Sequence, residues 1–245
     1  MRRSDPLIEI SMDNLLIEEK AVQTSATASD WDQHWASLET GRFLFSLAAK
    51  IVRRCIFQPA VAWYGARFFP ESGIFVEMGC GSAYSSARLA KHRRTFIGLD
   101  FSANALRSAR TAGRMDALLQ ADIFALPCRA NSIDGIWKLG VMEHFTESEI
   151  NRCLQEFHRV LKPGGIIFFF WPTRRNTSRW ILGPPEKLIS AWRRSEFTFF
   201  PGEISRLKSK QQARRFLESA GFEVAALDFN WRTAFIHMVI VARKK

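Results

Sequence analysis

The stretch Val76–Tyr84, Val-Glu-Met-Gly-Cys-Gly-Ser-Ala-Tyr, joins the end of an apolar run to a Gly-x-Gly turn. Residues 74–78 are apolar apart from one acid, and they predict a short buried strand. Glycine is favoured in the turn because the backbone there takes unusual φ values or approaches a ligand closely. Residues 82–91 then predict a helix, whose first N–H groups would face that ligand.

A second apolar segment, Arg94–Leu99, predicts the next strand and is followed by Asp100. Asp100 lies 21 positions after Gly79, where a carboxylate can accept hydrogen bonds from both hydroxyls of a ribose. A dinucleotide fingerprint requires a small residue five positions after the first glycine, and this chain has Tyr84 there. The spacing therefore favours a nucleoside ligand without a pyrophosphate.

The alternative pattern, acid-x-Gly-x-Gly-x-Gly, is met by Glu77, Gly79 and Gly81, with Ala83 in place of the last glycine. With these residues the chain resembles the class I S-adenosylmethionine-dependent methyltransferases, and among them the ubiquinone/menaquinone-type small-molecule subgroup. The resemblance covers about residues 30–245. It implies S-adenosylmethionine as the cofactor, and this cofactor has no phosphate that would need a longer glycine loop.

Strands and helices alternate along the rest of the chain. This alternation predicts an α/β fold with a doubly wound sheet that is closed by an antiparallel strand. The resemblance implies seven strands in the order 3-2-1-4-5-7-6. Helices are predicted after caps at Ser102, Thr146 and Ser209, and an apolar helix over 43–57 is expected to end at Pro59. The later strands are predicted at 116–121, 133–139, 166–171, 222–229 and 234–242.

Ligands of such sheets bind beyond the carboxyl ends of the strands. In the resembling family an acid after the third strand meets the adenine amino group, and the next apolar residue packs on the ring. Asp122 and Ile123 occupy those two positions. The predicted cofactor-binding residues are Glu77, Gly79, Cys80, Gly81, Asp100, Phe101, Asp122, Ile123 and Leu139.

Two polar residues after the fourth strand, Glu143 and His144, are the candidate catalytic residues. Methyl transfer from a sulfonium requires mostly alignment of the reactants and exclusion of water, so a dedicated base is optional. His144 either takes a proton from the acceptor or makes hydrogen bonds within its loop. Glu143 either holds the amino group of the cofactor or caps the following helix.

The length of 245 residues is that of one α/β domain with an elaboration. Residues 1–29 are expected to form a loosely held arm, and residues 30–245 the methyltransferase domain. Within it, N-terminal helices are expected over 30–70 and a cap insertion over about 172–208. Trp31 and Trp35 share one helical face, which either pins that helix to the body or closes over the cofactor.

The net charge of +11 is concentrated in residues 172–215, which carry eleven basic residues and three acidic ones, a net +8. Five Trp and Phe residues lie among these arginines and lysines. The segment either lines a pocket for an apolar acceptor, touches an anionic bilayer, or forms a solvated basic face. The expected partner is a small-molecule or lipid-like acceptor with possible peripheral membrane contact, and nucleic acid is disfavoured.

Four scattered cysteines, Cys55, Cys80, Cys128 and Cys153, show neither a metal-binding spacing nor a disulfide framework. No metal ion is expected, and a reducing, cytoplasmic location is favoured. The acids among residues 1–19 interrupt any signal-peptide core, and no apolar run reaches the length of a membrane span.

The sequence is therefore compatible with three functions. The favoured one is methyl transfer from S-adenosylmethionine to a small-molecule or lipid-like acceptor. The second is a nucleic-acid (RNA) methyltransferase that uses the basic segment 172–215, although residues 140–145 lack the Asp-Pro-Pro-aromatic pattern of amino-methylating nucleic-acid enzymes. The third is a cofactor-binding protein without turnover, which only the alanine at position 83 encourages.

Overall fold

The computed structural model describes residues 51–173 and 204–245. Seven strands form a single sheet in the order β3-β2-β1-β4-β5-β7-β6. All neighbouring strands are parallel except β7, which runs antiparallel to both β5 and β6. This confirms the predicted fold class and strand order. The strands are β1 (Gly73–Met78), β2 (Arg94–Asp100), β3 (Ala117–Gln120), β4 (Ile133–Leu139), β5 (Leu161–Pro172), β6 (Phe222–Asp228) and β7 (His237–Lys244).

Within residues 51–173 and 204–245, four α-helices cover the sheet: α1 (Gln58–Phe68), α2 (Ala103–Ala112), α3 (Glu147–Val160) and α4 (Lys210–Ser219). Helices α3 and α4 pack aliphatic and aromatic side chains against one face of the sheet. Helix α1 covers part of the other face, where the core is strongly aromatic. Its ring contacts include Tyr64 with Phe170 at 5.8 Å and Phe69 with Phe168 at 4.9 Å between centroids. Much of the large phenylalanine content is therefore used in this layer.

The predicted end of the first apolar helix at Pro59 is wrong, because the backbone remains helical through this residue. A π-helical segment, Arg53–Phe57, leads directly into α1, and the Gln58 N–H donates to the Arg53 carbonyl. Proline has no N–H to donate and falls in the first turn of α1, where a missing donor is tolerated. The wider π-helical turn thus carries the chain across the proline.

The predicted helix over 82–91 is also wrong: only a short 3₁₀ turn, Tyr84–Ser86, forms there. Ala83 before the turn adopts a left-handed conformation with φ 51°. The Tyr84 carbonyl accepts a hydrogen bond from Gln58 Nε2 at 2.9 Å, on a helix 26 residues away. The local propensity for a helix is overridden by these tertiary contacts.

The last strand begins at His237 instead of the predicted residue 234. The connection from β6 forms a 3₁₀ turn at Trp231–Thr233. Ala234 and Phe235 then both adopt positive φ angles, of 48° and 55°, which a strand does not allow. The backbone therefore enters β7 only after it has completed this tight connection.

The predicted helix caps are confirmed. The Thr146 hydroxyl accepts the N–H of Glu149, and the Glu149 carboxylate accepts the Thr146 N–H at 2.8 Å, so that both halves of a capping box are present. Ser102 and Ser209 cap α2 and α4 in the same way, through hydroxyls that accept helix N–H groups. Helix α2 ends, as predicted, at Gly113 with φ 61°.

Several predictions concern residues outside the described ranges: the arm over 1–29, the helix with Trp31 and Trp35, and most of the cap insertion. The domain boundaries therefore remain predictions. Among residues 51–173 and 204–245, none of the helices has the length and apolar character needed to cross a membrane.

Replacing Thr146 with alanine should lower the free energy of unfolding by about 1 kcal/mol, because the Glu149 N–H loses its hydroxyl acceptor and the Glu149 carboxylate loses the Thr146 hydroxyl as a donor. Urea denaturation would measure this change. The neighbouring substitution Ser148→Ala, at an exposed position of the same first turn, is the matched control. Equal losses in the two variants would contradict the role of the capping box.

Candidate functional site

The turn after β1 is fastened to the end of β2. Gly79 and Gly81 adopt left-handed conformations with φ 66° and 53°. The Cys80 N–H donates to the Leu99 carbonyl at 2.9 Å, and the Gly81 N–H donates to Asp100 Oδ2 at 2.8 Å. These two amides are therefore bonded within the protein. Because no α-helix begins at residue 82, the predicted helix start whose N–H groups would face a ligand is not formed.

Gly79 has a packing role that the sequence does not reveal. A Cβ atom at this position would lie 2.6 Å from Cγ2 of Val141, which follows β4. Glycine therefore allows the turn after β4 to approach the turn after β1. Because a larger residue at position 79 would displace Val141, loss of ligand binding in such a variant would not by itself locate a ligand.

Asp100 is buried at the end of β2, and its orientation is fixed by backbone donors on both sides. Oδ2 accepts from Gly81, and Oδ1 accepts the Ser102 N–H at 3.0 Å. A carboxylate has about four acceptor positions, so one carboxylate can bind backbone amides and hydroxyl donors together. Phe101 beside it is half-buried, and its carbonyl accepts a hydrogen bond from Gln120 Nε2.

Glu77 is buried and held by two hydroxyl groups that the sequence did not single out. Ser85 Oγ donates to Oε1 at 2.7 Å, and Ser86 Oγ donates to Oε2 at 2.6 Å. Trp137 Nε1 in turn donates to Ser86 Oγ at 3.2 Å. Burial raises the pKa of Glu77 to about 7, although the serine hydrogen bonds oppose this shift. In the sequence, the adjacent serines Ser85 and Ser86 are the signal that could have indicated these hydrogen bonds to Glu77.

The two residues predicted to contact adenine follow β3 at its carboxyl end. Asp122 is exposed, and its Oδ1 accepts the Phe124 N–H at 2.9 Å, which stabilises the turn that it begins. Ile123 is buried and packs against the core on the α3 side of the sheet. An exposed carboxylate beside an apolar surface suits a ring that carries an amino group at its edge.

Glu143 is the most unusual residue near the end of β4. It lies in a 3₁₀ turn, Met142–His144, and its Oε2 is buried without a hydrogen-bond partner. It does not cap the following helix, because Thr146 does. Burial raises the pKa of Glu143 to about 7, while nearby Lys138 and Arg206 act in the opposite direction. A buried carboxylate oxygen without a donor fits an incoming ammonium group.

Lys138, on β4, is a second buried ionisable group that the sequence analysis missed. Its side chain is fully buried, and Nζ has no hydrogen-bond partner. Nζ lies 5.6–6.0 Å from the ring centroids of Phe145, Phe157 and Phe169. Burial lowers the pKa of Lys138, and the negative charge of Glu143 partly opposes this. The cation is therefore stabilised mainly by ring faces and by Glu143.

The end of the predicted cap insertion is bonded directly to the turn that holds the candidate catalytic residues. The N–H groups of Ile204 and Ser205 both donate to the Glu143 carbonyl, at 2.6 and 2.9 Å. Ser205 Oγ also donates to the Met142 carbonyl at 2.9 Å. His144 is half-buried in the same turn. The position of this turn therefore depends on a segment that is distant in sequence.

The structure thus brings most of the predicted site residues to one edge of the sheet. The negative charge of Asp100 contributes, after burial, to the raised pKa of Glu77. Glu143 follows Val141, whose side chain packs close to Gly79. Cys80 contributes its backbone to the turn, and its thiol is buried. Leu139 is half-buried at the end of β4. The donor and acceptor set fits a cationic nucleoside that has no phosphate.

Replacing Ser86 with alanine should lower the free energy of unfolding by about 1–3 kcal/mol, because Glu77 and the Trp137 N–H both lose a buried partner. The loss should be larger above pH 7, where Glu77, with a pKa of about 7, is ionised. Urea denaturation on either side of that pH would test this. Ser82→Ala, in the same turn, serves as the control, and an equal, pH-independent loss in both variants would contradict the proposed network.

Comparison with known proteins points to one family. A methyltransferase-domain family matches residues 76–169, which run from β1 to β5. A malonyl-[acyl-carrier protein] O-methyltransferase of Buchnera aphidicola is 32% identical over 94 residues, covering 38% of this chain and 37% of that protein. A 2-phytyl-1,4-naphtoquinone methyltransferase of Nostoc is 30% identical, covering 50% of this chain and 58% of that protein.

A third relative, a probable tRNA methyltransferase 9B of Bos taurus, is 28% identical and covers 55% of this chain and 31% of that protein. The chain therefore spans about half the length, or less, of several curated relatives that it matches.

Solved structures share the fold. The magnesium protoporphyrin IX methyltransferase of Synechocystis, determined with bound S-adenosylhomocysteine, aligns with a TM-score of 0.56 at 16% identity and covers 76% of this chain and 80% of that one. The strand order agrees with that of the structures it resembles. Residues 76–169 therefore belong to a class I S-adenosylmethionine-dependent methyltransferase domain, and S-adenosylmethionine is its cofactor.

Proposed function

We propose that the chain transfers a methyl group from S-adenosylmethionine to a small-molecule or lipid-like acceptor. The observation that carries this proposal is the group of three buried carboxylates, Glu77, Asp100 and Glu143, near the carboxyl edge of a chain with a net charge of +11. Buried carboxylates are costly unless positive charge compensates them; Lys138 and Arg206 act on Glu143, but its Oε2 still lacks a hydrogen-bond donor. The cofactor carries an ammonium and a sulfonium, which supply that positive charge.

The named residues have separate roles in this proposal. Asp100 binds the ribose hydroxyls, Asp122 and Ile123 receive the adenine, and Glu143 accepts hydrogen bonds from the ammonium group. Gly79, Cys80, Gly81, Phe101 and Leu139 form the backbone and apolar walls, and Glu77 supports the turn through its serine partners. When bound, the cofactor supplies an electrophilic methyl group, and the electrons of its carbon–sulfur bond leave with sulfur as the acceptor's nucleophile attacks.

His144 is the proposed general base, because it follows Glu143 in the turn at the mouth of the site. It would accept the proton that a hydroxyl or amine nucleophile loses on methylation. The main requirement remains alignment of the acceptor and exclusion of water. The end of the cap insertion, held to this turn through Ser205, would contribute to both.

The choice of acceptor is supported by the relatives that act on malonyl-[acyl-carrier protein] and on a phytyl naphthoquinone. An RNA acceptor is the second candidate, supported by the tRNA methyltransferase relative and by the basic segment 172–215. The quinone-type subgroup suggested by the sequence belongs to the first of these proposals. Both candidates use the same cofactor site, so they differ only in what the cap insertion admits.

Cofactor binding should depend on the ionisation of Glu143. Its pKa of about 7 means that the carboxyl is protonated below this pH and ionised above it. Because an ammonium group binds the ionised form, affinity for S-adenosylmethionine should rise as the pH increases through about 7. Glu143→Gln should weaken binding by about tenfold at pH 8, which is the loss of one charge-assisted hydrogen bond, and should flatten the dependence. Isothermal titration calorimetry would measure both effects.

The control is Glu71→Gln, an exposed acid near the amino end of β1. This variant should retain the affinity and the pH dependence of the parent chain. An unchanged pH profile in the Glu143 variant would show that another group, such as Glu77, causes the titration, and would contradict the role proposed for Glu143.

The acceptor class can be tested by incubating the chain and a labelled-methyl cofactor with a cell extract, followed by separation into lipid, small-metabolite, nucleic-acid and protein fractions. Label should enter the lipid or small-metabolite fraction. His144→Asn should reduce this incorporation by about a hundredfold if the acceptor requires deprotonation, while cofactor affinity stays unchanged. Label in the nucleic-acid fraction would instead support the RNA candidate, and no transfer would contradict the proposed activity.

A further inference from the structure

Three large apolar side chains are exposed on elements that the cofactor site does not use. Ile51, Trp231 and Phe235 have 52%, 69% and 42% of their surfaces accessible. Ile51 lies in the helical turn before the π-helical segment, and the other two lie in the connection from β6 to β7. Single exposed apolar residues are common in proteins, but a tryptophan with more than two thirds of its surface exposed, followed four residues later by an exposed phenylalanine, indicates an interaction surface.

The two elements are held together by a polar contact. Tyr64 on α1 donates its hydroxyl hydrogen to Asp228 Oδ2 at 2.8 Å, and the same hydroxyl accepts from Asn230 Nδ2 at 3.3 Å. The connection after β6 is therefore fixed on α1.

Two arginine side chains lie against tryptophan rings of this surface. The Arg232 guanidinium is 4.2 Å from the ring centroid of Trp63 and 4.5 Å from that of Trp231. The Arg67 guanidinium lies 5.7 Å from Trp63 on the same helix. These stacked cations and rings hold Trp231 in place at the surface. Binding through this ring therefore requires little additional ordering of the protein.

The two segments that form this surface are basic in sequence. Residues 51–68 and 229–237 contain four arginines and no aspartate or glutamate. Asp228, which ends β6 just before this connection, accepts a hydrogen bond from the Tyr64 hydroxyl. The four arginines are Arg53, Arg54, Arg67 and Arg232.

The surface also lies at the carboxyl edge of the sheet, the edge that carries the cofactor site. His237 begins β7 and pairs with Pro172 at the end of β5. Its ring contacts Phe57, at the start of α1, with 5.0 Å between the ring centroids. The connection over 229–236 and the N-terminal end of the helix therefore both project from this edge. A partner bound there would lie at the edge of the sheet that carries the proposed cofactor site.

We infer that Ile51, Trp231 and Phe235 with Arg54, Arg67 and Arg232, hereafter the tryptophan–arginine face, dock the protein on an anionic lipid bilayer. Indole rings and arginines suit the bilayer interface, where the ring enters the acyl boundary and the guanidinium meets lipid phosphates. A second copy of this chain would bring a like-charged surface. A nucleic acid would stack on Trp231 but would leave Ile51 exposed to water.

The test is co-sedimentation of the full chain with vesicles of phosphatidylcholine, either alone or mixed with phosphatidylglycerol. The parent chain should bind only the anionic vesicles. Trp231→Ala should weaken this binding by about tenfold, from the loss of an inserted ring, and Arg232→Gln by about fivefold, from the loss of one charge near an anionic surface. The tryptophan emission of the parent chain should also shift to the blue with anionic vesicles, and less so in the Trp231 variant.

The matched control is Ile74→Ser, which removes an exposed apolar side chain, 39% accessible, at the opposite edge of the sheet. This variant should bind as the parent chain does. Circular dichroism should show that all variants remain folded, as expected for exposed positions. Failure of the parent chain to bind anionic vesicles would overturn the inference, as would equal binding by parent and Trp231→Ala. So would a Trp231→Ala variant that loses affinity for an RNA oligonucleotide while its vesicle binding is unchanged.

Discussion

The site depends on the carboxylate of Asp100, which accepts the Gly81 N–H at 2.8 Å and the Ser102 N–H at 3.0 Å. These two bonds join the turn after β1, the end of β2 and Ser102, the residue that caps α2. Because the carboxylate is buried, its hydrogen bonds with these backbone amides are strong, and losing them would be costly. The glycine turn is therefore built to present an oriented carboxylate rather than a row of amide donors, which agrees with a cofactor that has no phosphate.

The electrostatics of the chain follow from this arrangement. The protein is basic, yet acidic side chains are buried near the carboxyl edge of the sheet, and burial raises the pKa values of Glu77 and Glu143. Such groups destabilise an empty site at neutral pH and are compensated when a cation binds. The basic tryptophan–arginine face lies at the same edge. In this account the protein separates its charges, with acids for the cofactor and arginines for a membrane surface at that edge.

Local sequence signals predicted the parts of the fold that local physics determines. The helix caps at Ser102, Thr146 and Ser209 are short-range patterns, and the structure confirms them. The predicted strands also form, although the last one begins at His237 and not at residue 234. The missing helix after β1 was not predictable, because it is prevented by Gln58, 26 residues away, and by the hydroxyl bonds to Glu77. The attachment of Ser205 to the turn of Glu143 is similarly invisible in the sequence, since it joins segments that only the folded sheet brings together.

The most direct measurement of the central claim is a crystal structure of the chain with S-adenosylhomocysteine. The account predicts both ribose hydroxyls within about 3 Å of the Asp100 carboxylate, the adenine over Ile123, and the ligand's ammonium beside Glu143 Oε2. A ligand bound elsewhere, or an Asp100 carboxylate that contacts only Gly81 and Ser102 while the ribose lies away from it, would contradict the account.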